Sequence, residues 1–93
     1  MAQTIAERVV DEELAACVNI VTGVSSVFRW HGKVETDQEM LLIIKTREPV
    51  YKALEERIVE LHPYELPEII GVPILRGLAG YLTWLGDVTG AKE

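Results

Sequence analysis

The stretch CVNIVTGVSSVFRWHGKVETDQEMLLIIKT, residues 17–46, decides how the rest of this chain can fold. Its first part, Cys17 to Trp30, is rich in β-branched residues and lacks apolar recurrence at 3.6-residue spacing, so it reads as one long strand, bent or bulged at Gly23. Trp30-His31-Gly32-Lys33 supplies a glycine-containing turn. The polar VETDQ joins that turn to Met40–Thr46, whose apolar residues at successive positions predict a strand covered on both faces. Together the two strands form an antiparallel hairpin.

Helical patterns lie on either side. From Ala2 to Leu14, the residues Ala2, Ile5, Ala6, Val9, Val10 and Leu14 fall on one face and Glu7, Arg8, Asp11 and Glu12 on the other, which predicts an amphipathic helix with only Thr4 as a poorly placed cap. Downstream, Glu48 and Pro49 open a second helix with an inner stripe of Val50, Ala53, Leu54, Ile58 and Leu61. Pro63 stops it. The residue before a proline is pushed out of the helical region, so His62 belongs at the helix's C-terminal end, where the carbonyl dipole attracts positive charge. EIIGVPIL, Glu68 to Leu75, reads as a further strand that lies at an edge or ends at Pro73. RGLAG is a loop, and Leu78, Tyr81, Leu82, Leu85 and Val88 recur as a last helix weakened by Gly80 and Gly86. Helix, strand, strand, helix, strand, helix is an α+β order with helices on one face of a sheet.

The 93 residues make one domain whose lone monomer would be marginally stable, so subunit association is expected. A net charge of −6, with Lys and Arg dispersed, lacks the basic footprint of a nucleic-acid binder. No apolar run approaches the ~20 residues of a membrane span, and the acidic N-terminal stretch does not resemble a signal peptide. A cytoplasmic protein is therefore expected. A single cysteine, Cys17, forms no internal disulfide and no CxxC site, and it reads as a small buried apolar residue. Nucleophile elbow, helical metal-ligand pair and glycine-rich phosphate loop are all missing from the sequence, which points away from an enzyme.

The segments EELAACVNI (residues 12–20), SSVFRWHGKVETDQEMLLIIKT (25–46), ALEERIVELHPYELPEIIGVP (53–73) and YLTWL (81–85) resemble the CutA family of divalent-cation-tolerance proteins across nearly all of residues 2 to 88. The most specific piece is HPYELPEI, His62 to Ile69. This resemblance implies a single CutA-like domain over residues 1–93 with a ferredoxin-like βαββαβ fold plus a C-terminal helix. It also implies a cytoplasmic homotrimer resembling the PII proteins, and a role in metal tolerance with copper or another divalent cation as ligand. Members begin with an apolar strand, whereas these residues start inside the first helix. Either the start lies downstream of that strand, or another segment, such as one from a neighbouring subunit, takes its place at the centre of the sheet. PILRGLAGYL also departs from the family, which commonly has an acidic residue and a Gly-Asn pair before the Tyr-Leu.

Metal binding in the family involves a histidine at the position of His62 and a cysteine on the strand that these residues do not include. His62 carries over as a candidate ligand and Glu65 as an accessory carboxylate; alone, one imidazole gives modest, unselective affinity, and helix capping is the plainer role. His31 is expected to be a solvent-exposed turn residue. Trp30, Tyr64, Glu68 and Trp84 are expected at the trimer interface or its clefts, tryptophan being a frequent interface anchor. A second reading is a PII-like signalling or scaffold trimer that binds a small molecule or partner in inter-subunit clefts.

Overall fold

A computed structural model describes residues 1–63 and 66–90. Its elements run α1 (Ala2–Asp11), β1 (Cys17–Trp30), β2 (Lys33–Lys45), α2 (Glu48–Leu61) and α3 (Ala79–Asp87). Strands β1 and β2 pair antiparallel from Cys17 opposite Lys45 to Trp30 opposite Lys33. His31 and Gly32, at φ 51° and 79°, are both left-handed, the conformation that lets a two-residue loop follow the right-handed twist of the strands. The register shifts between Val21 and Val24, where Thr22 and Gly23 lie opposite Met40, and Gly23 takes φ 76°. The expected bulge is therefore present, held by a residue with no Cβ to clash.

One expectation fails at the start of β2. VETDQ is not a connector but the first part of the strand, because cross-strand pairing outweighs its polar composition. Gln38 Nε2 donates to Ser25 Oγ at 2.7 Å across that ladder.

The register assigns the two faces of the sheet. Val18, Leu42 and Ile44 pack against a core of Ile5, Val9, Ala15, Leu54 and Ile58, so α1 and α2 cover one face. Alternate residues point away, and Val21, Leu41 and Ile43 are 39%, 51% and 47% exposed. The expectation that Met40–Thr46 is covered on both faces is thus not met within one chain, since only one helical layer is available to cover it.

Helix α1 buries Ile5, Ala6 and Val9 and ends at Asp11, short of the expected Leu14. Glu13 is left-handed at φ 62°, and the amides of Leu14 and Ala15 both turn back to the Val9 carbonyl. In α2, Pro49 occupies the first turn and Val50, Leu54 and Ile58 are buried, whereas the expected stripe residue Ala53 is exposed. Arg57 on α2 donates from Nε and Nη2 to the two carboxylate oxygens of Glu12, each at 2.9 Å, and ties the end of α1 to α2. Behind α3, Arg47 Nε donates to Thr89 Oγ1 at 3.0 Å and to the Thr89 carbonyl at 3.1 Å. Thr89 is fully buried, and its hydroxyl donates to the Leu85 carbonyl at 2.7 Å.

The strand expected at Glu68–Leu75 is absent: both described strands belong to the two-stranded β1–β2 sheet, and residues 67–78 contribute to neither. A strand requires a hydrogen-bonding neighbour as well as suitable side chains, and Pro67 and Pro73 each remove a donor. Ile69 still packs against the core, while Ile70, Val72 and Leu75 are 75%, 82% and 88% exposed.

Two predictions come from these contacts. Gly32→Ala forces a Cβ into a left-handed position, and urea denaturation should show a loss of about 1 kcal/mol, with an unchanged midpoint counting against the turn. The hydrogen bond from Arg57 holds the Glu12 carboxyl below the ordinary carboxylate range, against a smaller opposing effect of desolvation. A depressed folded-state value contributes stability that is present above the unfolded value and lost as pH falls through the folded one. Wild-type protein should therefore lose more stability than Glu12→Gln between about pH 5 and about pH 3, as read from thermal unfolding.

Candidate functional site

The end of α2 carries the leading candidate. His62 caps the helix in an extended conformation, φ −82° and ψ 135°, and its amide donates to the Ile58 carbonyl at 2.8 Å, with Pro63 next in the chain. That extended backbone is what the following proline imposes, and the side chain is half-buried. Tyr64 and Glu65 lie outside the described residues. Glu68 is exposed on the extended stretch that follows.

The aromatic candidates sit on other elements. Trp30, 41% exposed, closes the hairpin, its ring meeting His31 edge-on with centroids 4.9 Å apart. Trp84, 43% exposed, lies on α3 with its ring 5.5 Å from that of Tyr81. His31 is exposed, as expected of a turn residue. Cys17 is half-buried instead of buried, because it opens β1 opposite Lys45, whose Nζ lies 3.8 Å from the thiol sulfur.

Among the described residues, no three His, Cys, Asp or Glu side chains come together in a way that could hold a metal ion. A complete ligand set built around His62 would therefore need side chains outside the described residues or from another chain.

One feature of this surface was missed from the sequence. An open groove of about 550 Å³ runs between α1 and β1, with Ala6, Val10 and Val18 among its apolar residues and Glu7, Asp11 and Asn19 among its polar ones. The available signal was the i, i+4 spacing of Gln3, Glu7 and Asp11 beside the apolar stripe of α1; Gln3 Nε2 donates to Glu7 Oε2 at 2.7 Å. On α2, the Tyr51 hydroxyl donates to Glu55 at 3.0 Å, and that bond to a carboxylate pushes the phenol's pKa up.

Comparison with known proteins places this arrangement. Residues 1–88 match the sequence profile of the family described as "CutA1 divalent ion tolerance protein". The divalent-cation tolerance protein CutA of Thermus thermophilus is 51% identical over 90 residues, covering 97% of this chain and 87% of that protein. The chloroplastic CutA 1 protein of rice is 52% identical over 91% of this chain, which spans about half, 48%, of its length. A solved structure of the divalent cation tolerance protein from Thermus thermophilus superposes with a TM-score of 0.94 at 52% identity, over 96% of this chain and 86% of that one. Profile, sequence and backbone agree over the hairpin, both flanking helices and the stretch beyond His62, with the ferredoxin-like α+β fold seen in those relatives. This chain belongs to the CutA1 divalent ion tolerance protein family.

Proposed function

We propose that this chain acts in divalent-cation tolerance as a cytoplasmic homotrimer that holds copper or another divalent cation weakly, with His62 as a ligand and Glu65 as an accessory carboxylate. The observation that carries the reading is membership of a family whose relatives are named for this role, together with a half-buried imidazole fixed at the end of α2. Imidazole suits copper and zinc alike, so one histidine does not select the metal.

The exposed surface supports association. One chain presents 7021 Å² of accessible area, whereas a compact monomer of its mass presents about 5400 Å². Its radius of gyration is 14.7 Å, against about 12.3 Å expected for its length. Much of the excess is apolar, on the outer face of the hairpin, on residues 66–78 and on α3, where Tyr81 and Trp84 lie. Trp30, Tyr64, Glu68 and Trp84 are the residues we assign to the interface or its clefts. The exposed apolar surface also accommodates a second reading, in which a PII-like trimer binds a small molecule or partner in its inter-subunit clefts and metal is incidental.

Copper titration of the purified chain and its His62→Ala variant tests the first reading. The variant should bind at least about tenfold more weakly, and equal uptake would remove His62 from the site. Thermal shifts measured with nucleotides and with metals separate the two readings, because each ligand stabilises only the protein that binds it.

A further inference from the structure

We infer that the groove between α1 and β1 binds a small organic cation, an ammonium group carried on an apolar body. Its floor is built from Ala6 and Val10 on α1 and Val18 and Ile20 on β1, and its helical rim carries Glu7 and Asp11. The groove follows from how the two elements meet. Helix α1 turns Ile5, Ala6 and Val9 inward, and Val10, the next residue, is left exposed above the strand. Val18 packs toward the helical side, and Ile20, two residues on, shares its face. Helix α1 is the helix that lies on β1, and its width leaves both strand residues half-buried. The resulting volume of about 550 Å³ falls within the ~300–1,000 Å³ of sites that take small ligands.

Charge selects the occupant. Glu7 and Asp11 stand one helical turn apart, about 6 Å between β-carbons, a spacing at which like charges repel. Among the described residues neither meets a cation: Glu7 accepts a hydrogen bond from the neutral amide of Gln3, and the ion pairs formed belong to Lys52 and Arg57. Arg8, the one basic residue of α1, acts on Glu12, the carboxylate that Arg57 of α2 holds. Lys45 Nζ is directed at the Cys17 thiol and the Ile43 carbonyl. A cation between Glu7 and Asp11 relieves their repulsion, whereas an anion meets both carboxylates and a net charge of −6. A metal ion gains nothing from an apolar floor, and the described residues bring no third ligating group to this pair. An ammonium on a hydrocarbon body uses rim and floor together, with the charge in the wet opening and the body against Val10, Val18 and Ile20. The groove lies on α1 and β1 of a single chain, so the inference rests neither on a metal at His62 nor on a cleft between subunits.

The test titrates three probes into the protein in its native assembly state, with a chelator present: phenylpropylamine, the neutral phenylpropanol and the anionic phenylpropionate, which share an apolar body and differ in charge. Backbone amide shifts followed by NMR should move saturably with the amine at Glu7, Val10, Asp11, Val18 and Ile20. The alcohol should bind at least about tenfold more weakly, and the acid should give no saturation. Raising salt from about 20 mM to about 500 mM should weaken the amine and leave the alcohol unchanged. Glu7→Gln combined with Asp11→Asn, both at exposed positions, should bring the amine down to the affinity of the alcohol. Should that double variant fail to fold, the three-probe comparison on wild type decides alone. The proposal is overturned by equal binding of amine and alcohol, by amine shifts confined to other residues, or by a folded double variant that binds the amine as wild type does. It is overturned as well if the amine gives no saturable shift at these amides, whether because a neighbouring copy covers the groove or because a lysine-bearing peptide saturates it where the amine does not.

Discussion

Every ladder hydrogen bond of the described sheet runs between β1 and β2, and that single pairing orients the rest of the molecule. The left-handed pair His31 and Gly32 starts the ladder and the bulge at Gly23 adjusts it, so that Val18, Leu42 and Ile44 arrive together on the helical side. A one-residue slip would exchange these for Val21, Leu41 and Ile43 and remove the floor on which α1 packs.

The helical layer is then held at its ends by polar contacts. Glu12 with Arg57 joins α1 to α2, and Arg47 with Thr89 joins the start of α2 to the end of α3. The first pair is roughly a third exposed, so its net contribution is small next to the burial of Ile5, Val9, Leu54 and Ile58. Its value is geometric. It holds the last turns of α2 against the end of α1, and so sets where the helix end, stopped by Pro63, places His62.

What was legible in the sequence is what neighbouring residues decide by themselves. The turn at His31-Gly32, the irregularity at Gly23, the start of α2 at Pro49 and its end before Pro63 all follow from local backbone restrictions. The misses concern partners distant in sequence. VETDQ joins β2 because Arg29 through Ser25 lie opposite it, and EIIGVPIL fails to form a strand because no ladder reaches it. The position of His62 could be read from one proline, but side chains gathered around it from other elements, or from other chains, leave no periodic trace in a sequence.

That last point bears on how a metal could be held. A single half-buried imidazole binds a divalent cation weakly, and the described residues of one chain bring no three ligating groups together. If ligands from neighbouring subunits complete the proposed site, cation binding and assembly are thermodynamically linked. Each subunit would then contribute an incomplete ligand set, and a cation would bind the assembled form better than the separated chains and shift the equilibrium toward it. The large exposed apolar surface works in the same direction from the other side, because association that covers Leu41, Ile43 and α3 would assemble the ligands before any metal arrives. Affinity for the cation would then report on subunit concentration, a dependence that a site complete within one chain would not show.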